Sequence, residues 1–285
     1  MPRWVARGRV VVDATDATPK IMGVLNVTPD SFSDGGKHAD PLRALDHARA
    51  LAAEGADLLD VGGESSRPGS EPVPLQEELR RVLPTVVAIA ANLDLPISVD
   101  TTKSEVARLA IQAGASIVND ISALQAEPEL ARVVAETGAG LVLMHMRGVP
   151  RTMQDAPEYL DVVADVHEFL ARRIEAAEAA GVPRDRIAVD PGIGFGKTVD
   201  HNLSLLRNLG RFASLGCVVL VGTSRKRFLG AITGREIDGR ATASAVSSLF
   251  AATQGAQVLR VHDVHAMSDA LKVWDALGGW KDRRR

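Results

Sequence analysis

Every short apolar run in this chain ends in, or leads directly to, side chains that can bind or react. Asn26 closes the run 20–26 (KIMGVLN), Glu64 and Arg67 follow 57–61 (DLLDV), and Asp100 closes 97–100 (ISVD). Asn119, followed by Asp120, ends 116–119 (SIVN), and His145 ends 140–145 (GLVLMH). Asp190 closes 187–190 (IAVD), Arg225 and Lys226 follow 217–222 (CVVLVG), and Arg260 and His262 come with 257–261 (QVLRV). A turn or a helix cap accounts for one such Asp or Asn. It does not account for all of them, because several are too bulky or too basic to cap anything. Asp120 alone reads as an ordinary cap.

Arg260 and His262, with a helix starting just after them, form a candidate anion site: a guanidinium fork, an imidazole and free helix amides converge. Asn26 would face them where the first and last strands meet. The segment 190–198 (DPGIGFGKT) tempts a phosphate-cradle reading, but only three residues separate Gly192 from Gly196-Lys197, one fewer than a P-loop needs. A glycine-rich turn that lets Phe195 wall an apolar pocket is the equal alternative. His145 has no metal-ligand partner at helical spacing and reads as a supporting hydrogen bonder. No Ser-His-Asp or Cys-His set stands out. Two loops rich in small polar residues, 27–36 (VTPDSFSDGG) and 62–69 (GGESSRPG), read as lids over a ligand.

The elements that must position these groups follow from the alternation of apolar runs with amphipathic stretches, the pattern of βα units around a parallel sheet. Helices are predicted over 41–54, 75–92, 103–113, 128–137, 158–180, 239–254 and 264–277, most with a glycine stop, and a short one near 200–209. Eight units ending with the eighth helix favour one closed (β/α)8 TIM barrel over an open doubly wound sheet. In a barrel, chemistry gathers at the C-terminal strand ends, where the polar residues fall. Residues 1–19 would form a short N-terminal hairpin plugging the barrel bottom, with the barrel over 20–278 and the 285 residues as a single domain.

Composition narrows the function. Hydrophobic residues make up 46% and charged residues 24%, enough for a large aliphatic core and incompatible with a disordered chain. A net charge of -3 removes the electrostatic case for a nucleic-acid partner. Cys217, the single cysteine, excludes an intramolecular disulfide and suits a reducing, cytoplasmic setting. No stretch approaches the ~20 apolar residues of a membrane span, and no leader-like segment opens the chain.

The segment 21–36 (IMGVLNVTPDSFSDGG) resembles the hallmark of the dihydropteroate synthase family, folate-pathway enzymes inhibited by sulfonamides. The segments 62–69 (GGESSRPG), 98–101 (SVDT), 118–120 (VND), 144–148 (MHMRG), 190–197 (DPGIGFGK), 224–226 (SRK) and 260–264 (RVHDV) resemble it in the same order, so the likeness spans nearly the whole chain. Ser66 stands where the family usually has Thr, which keeps the hydroxyl. Arg227 stands where many members have a Ser thought to help hold the aminobenzoate carboxylate.

The resemblance implies a transferase that condenses 6-hydroxymethyl-7,8-dihydropterin diphosphate with 4-aminobenzoate, releasing diphosphate. It implies Asp34, Arg67, Lys226, Arg260 and His262 as catalytic residues. Substrate binding would fall to Ser66, Arg67, Pro68, Asp100, Asn119, Asp190, Phe195, Lys226, Arg260 and His262, with Phe32 a second aromatic wall. Asn26 would be the hard oxygen ligand of a Mg2+ that the diphosphate helps to hold. A homodimer is implied as well, with Val246, Leu249 and Phe250 of the last two helices the expected contact. Two rivals stay open: a methyltetrahydrofolate-binding methyltransferase barrel, and a paralogue that binds a pterin without turning it over.

Overall fold

A computed structural model describes residues 2–13, 15–28, 41–67, 69–149, 151–154 and 157–280. Strands β1 (Trp4–Ala6) and β2 (Arg9–Val12) pair antiparallel as the predicted hairpin. Its turn places Arg7 and Gly8 at φ 48° and 78°, the left-handed pair that matches the twist of a tight hairpin. The Arg7 guanidinium donates to the carbonyls of Ile111 and Ala115, pinning the hairpin under the barrel.

Eight parallel strands then close into a barrel: β3 (Lys20–Asn26), β4 (Leu58–Gly62), β5 (Ile97–Asp100), β6 (Ile117–Asp120), β7 (Gly140–Met144), β8 (Ile187–Asp190), β9 (Val218–Val221) and β10 (Val258–Val261). Closure is made by β10 against β3, with Arg260 opposite Met22. Side chains alternate across a strand, and one parity meets inside. Met22, Leu58, Ile117, Val142, Ala188, Val218, Leu220 and Val258 pack with Trp4, Ala6, Val11 and Val12 into a buried lower core. The hairpin is therefore a plug, as its alternating pattern suggested. Farther along the same parity come Asp60, Ser98, Asp100, Asn119, Asp190 and Arg260, so the barrel turns from apolar to polar towards its C-terminal mouth.

The surrounding helices are α1 (Pro41–Glu54), α2 (Leu75–Asn92), α3 (Ser104–Gln112), α4 (Glu129–Thr137), α5 (Val162–Ala179), α6 (Val199–Arg207), α7 (Arg227–Thr233), α8 (Ala241–Thr253) and α9 (Val264–Ala276). Their apolar stripes and the outward residues of the strands form the main core. Two features depart from the sequence pattern. The sixth helix is followed by a 3-10 turn over Leu209–Leu215, and α7, unforeseen, intervenes before α8. Gly230 inside α7 and its seven-residue length hide it from a periodicity search. It matters because Lys226 sits at its N-cap.

Candidate active site

The C-terminal mouth encloses a cavity of about 560 Å³. Beneath it lies a polar network that joins four strands. Asp60, fully buried, accepts from Arg260 Nε at 2.6 Å and from Asn119 Nδ2 at 3.1 Å, both on Oδ2. Asp100 Oδ2 accepts from Arg260 Nη2 at 2.9 Å. Burial and the Asp60 carboxylate push the Asp100 carboxyl up to about 7, against the pull of Arg260. Burial opposes charge on Arg260, but Asp60 and Asp100 hold its proton more firmly than usual. The guanidinium has five donors; two are taken by these carboxylates, and the other three have no partner among the described residues. Arg260 lines the cavity, so those donors are available to an anion.

The loop after β8 builds the second wall. Asp190 Oδ1 accepts from the Gly192 amide at 2.7 Å, and burial lifts its carboxyl to about 6. Gly192 has a φ of 68°, and a Cβ there would lie 1.8 Å from the His145 carbonyl, so only glycine fits. Lys197, almost fully buried, lies 2.9 Å from His145 Nδ1 and donates to the Phe195 carbonyl at 2.9 Å. Burial lowers its ammonium to about 7 and, with Lys197 adjacent, holds His145 far below its usual range. His145 is thus the supporting group its isolation suggested. Phe195 packs with Met144 and Met153 and faces the cavity. Lys226 Nζ stands 3.8 Å from the Phe195 ring centroid, and burial followed by Arg260 lowers its ammonium to about 7. The Gly192, Gly194 and Phe195 amides donate to Asp190, Asn202 and the Gly192 carbonyl, so the glycine-rich segment presents an aromatic-bearing wall that positions two lysines and not a set of free amides.

The rim is strongly basic. Arg67, Arg225, Arg227 and Arg240 line the cavity with Ser65, Ser66, Asn26, Thr28 and His262. His262 Nδ1 lies 3.1 Å from Ser224 Oγ; burial, then Arg260, drops its imidazole to about 3. Arg225, at φ 58°, pairs with Asp263 through Nη2 at 2.6 Å and Nε at 3.2 Å. A left-handed arginine is a strained backbone of the kind that recurs at working sites.

The structure brings together Asn26, Ser66, Arg67, Asp100, Phe195, Lys226, Arg260 and His262 around one cavity. Asn119 and Asp190, only 4% and 6% exposed, stand behind the lining residues. Asp34, Pro68 and Phe32 lie outside the described residues. One expectation needs correction: the helix amides after His262 contribute less to an anion site than the sequence suggested. The His265 amide donates to Glu54, and Asp263 at the α9 N-cap brings a carboxylate to the spot. Asp120 is a turn residue and not a helix cap: its carboxylate accepts from the Ser122 and Leu124 amides, and the next helix begins only at Glu129 after Pro128. Sequence reading passed over Asp60 and Lys197. Asp60 carried a signal, a carboxylate inside an apolar strand where an unpaired charge would be costly.

Comparison with known proteins agrees with this geometry. The model of the pterin binding enzyme family matches residues 22–262. A dihydropteroate synthase of Escherichia coli K12 is 45% identical over 267 residues, covering 94% of each chain. The solved dihydropteroate synthase of Xanthomonas albilineans with 4-aminobenzoic acid is 51% identical, with a TM-score of 0.90 over 97% of this chain and 98% of that one. The same enzyme in complex with 7,8-dihydropteroate gives 48% identity and a TM-score of 0.86 over 97% and 99%. A barrel whose mouth gathers buried acids, lysines and arginines, matched along nearly its full length by these relatives, belongs to the dihydropteroate synthase family of pterin-binding enzymes.

Proposed function

We infer that this chain condenses 6-hydroxymethyl-7,8-dihydropterin diphosphate with 4-aminobenzoate, giving 7,8-dihydropteroate and diphosphate for folate biosynthesis. The observation that carries the assignment of roles is the layering of one cavity: acids and amides at the floor, a fixed cation above them, a basic rim outside. A pterin edge presents amide, amine and ring-nitrogen groups in one plane. Asp100, Asn119 and Asp190 supply matching acceptors and donors, and Lys226 lies across the Phe195 wall beside them. An analogue that leaves one of these groups unpaired forfeits about 1–3 kcal/mol.

Diphosphate departure develops negative charge next to Arg260 and His262. Arg260 is held rigid by Asp60 and Asp100, and a donor already aimed needs no reorganisation as charge appears. The electron-rich dihydropterin tolerates a cation-like methylene once diphosphate leaves, and the arylamine attacks that carbon and gives up a proton to solvent, so no protein nucleophile is required. Ser66, Arg67 and Phe195 are assigned to aminobenzoate capture, together with Pro68, and Asp34 to the catalytic loop. Arg227, in place of the more usual Ser, lines the same cavity and adds a cation for the aminobenzoate carboxylate.

Among the described residues no group of three His, Cys, Asp or Glu could hold a metal ion. The donor set still suits Mg2+, which keeps waters and takes substrate phosphate oxygens with few protein ligands; Asn26 on the cavity wall would be that ligand. Bound there, Mg2+ would neutralise diphosphate charge. We further propose that the 285 residues act as one domain and that the chain works in the cytoplasm as a homodimer. Exposed Val246 and Phe250 on α8, with Val273 on α9 and Leu277 just after it, support that contact, whereas Leu249 packs into the core.

The test is diphosphate release by purified protein. Release that depends on aminobenzoate supports the reading. A protein that binds the pterin without releasing diphosphate would be the non-enzymatic paralogue, and methyl transfer from a methylated folate would point to the other barrel family.

A further inference from the structure

The loop bearing Ser66 and Arg67 has a built anchor that the roles above do not use. Gly63 is pressed onto α2: a Cβ there would come within 2.7 Å of Val82 Cγ2 and 3.2 Å of Glu78 Cγ, and its carbonyl accepts from Arg81 Nη1 at 2.8 Å. The next residue, Glu64, lines the cavity and accepts from Lys103 Nζ at 2.5 Å. The same ammonium donates to Glu78 at 2.5 Å, and the Glu78 side chain is only 1% exposed. Lys103 itself follows β5 closely, with its backbone amide held by Thr101 Oγ1 at 3.2 Å. One cation thus ties the stem of the Arg67 loop, the α2 helix and the segment that delivers Asp100. Past Glu64 the constraints become local, with Ser70 Oγ donating to the Ser65 carbonyl at 2.5 Å, and Arg67 is exposed.

We propose that Lys103 and Glu64 form a positioning pair for aminobenzoate capture, fixing the stem of the loop so that Ser66 and Arg67 are presented over the pterin site. The idea rests on the assignment of that loop to aminobenzoate. Its chemistry is twofold. The ion pair sets where the loop leaves the barrel, and it keeps the Glu64 carboxylate, which lines a cavity meant for two anionic substrates, neutralised and turned to Lys103. A like charge left free beside a bound anion weakens binding and misdirects it.

The test is steady-state kinetics of Glu64→Ala, Lys103→Met and Lys103→Arg, with separate KM values for the two substrates and a melting temperature for each. Glu64→Ala leaves the buried Lys103 to Glu78 pair intact, so it keeps the readout open if Lys103→Met does not fold. The expected result is an aminobenzoate KM raised about fivefold or more in Glu64→Ala, the scale of coupling seen for residues that share one network. The pterin diphosphate KM should stay within about twofold, and Lys103→Arg should restore most of the loss. The double variant Glu64→Ala/Lys103→Met should be no worse in aminobenzoate KM than the poorer single variant, because the two residues act through one contact. Unchanged KM values in Glu64→Ala, or equal rises for both substrates, would overturn the proposal. Wild-type protein assayed alongside separates the two levels: failure of the wild type to release diphosphate defeats the functional reading, while an active wild type with indifferent variants defeats only the positioning pair.

Discussion

Replacing Arg260 by methionine removes the guanidinium that Asp60 and Asp100 share, and the structure sets the size of the result. Asp60 is fully buried and bonded to Arg260 Nε at 2.6 Å, so the variant keeps a buried carboxylate with only the Asn119 amide as partner. Breaking one side of such a pair costs about 3–5 kcal/mol. Asp100 softens this, since its carboxyl already sits near 7 and takes up a proton when Arg260 is gone. At about 2–4 °C per kcal/mol for a large domain, the melting temperature should fall by about 6–20 °C, towards the lower end because Asp100 can take up a proton. Catalysis should fall as well, because Arg260 carries the donors aimed at developing charge; a loss of about a hundredfold or more in single-turnover diphosphate release is expected. Arg67→Met is the internal control. Arg67 is exposed at the rim, so the melting temperature should stay within about 1–2 °C, while aminobenzoate capture is lost and pterin diphosphate still binds. Calorimetric melting, equilibrium binding of each substrate and quenched single-turnover release, run on both variants, check the whole pattern. Identical losses in both variants for both substrates would refute the division between a fixed leaving-group site and an outer capture site.

Four further outcomes follow from the same site. The Asp190 carboxyl, lifted to about 6 by burial, accepts ligand donors best when ionised; hydroxymethyl-dihydropterin affinity, by calorimetry, should therefore weaken as pH falls below about 6, by up to tenfold per unit, and Asp190→Asn should reduce that dependence to the part contributed by Asp100 and Lys226, both shifted to about 7. Asp190→Ala should weaken pterin diphosphate by about 5- to 150-fold at neutral pH, measured on protein whose circular dichroism is unchanged. Aminobenzoate should bind measurably only when a pterin diphosphate or diphosphate is present, and equally tight titration into bare protein would contradict that order. Gly192→Ala forces a Cβ to 1.8 Å from the His145 carbonyl at a left-handed φ and should destabilise the fold by several kcal/mol, readable as a lower urea midpoint.

Much of this molecule is legible from its residues because a barrel writes itself twice. Short apolar runs mark the strands, and the polar residues at their ends mark the mouth; Asp100, Asn119, Asp190 and Arg260 are found by either rule. What escaped has physical reasons. Asp60 lies at the middle of its five-residue strand, and its role depends on Arg260, 200 positions away, which no local pattern reports. Lys197 looked like the tail of a glycine-rich turn, although burial turns it into the post that holds that turn against His145. Helix α7 is too short and too interrupted by glycine to show a period. The helix amides beyond His262 were overvalued because the sequence does not show that Glu54 reaches the His265 amide from α1.

The central claim is that the floor and rim of one cavity join two substrates with loss of diphosphate. Quenched single turnover with excess enzyme, both substrates and Mg2+ measures it most directly, with dihydropteroate and diphosphate quantified in the same samples. With both substrates present the account predicts one dihydropteroate formed for each diphosphate released, and no dihydropteroate when aminobenzoate or Mg2+ is withheld. Diphosphate released in the presence of aminobenzoate without its incorporation, or tight pterin diphosphate binding with no release at all, would contradict it.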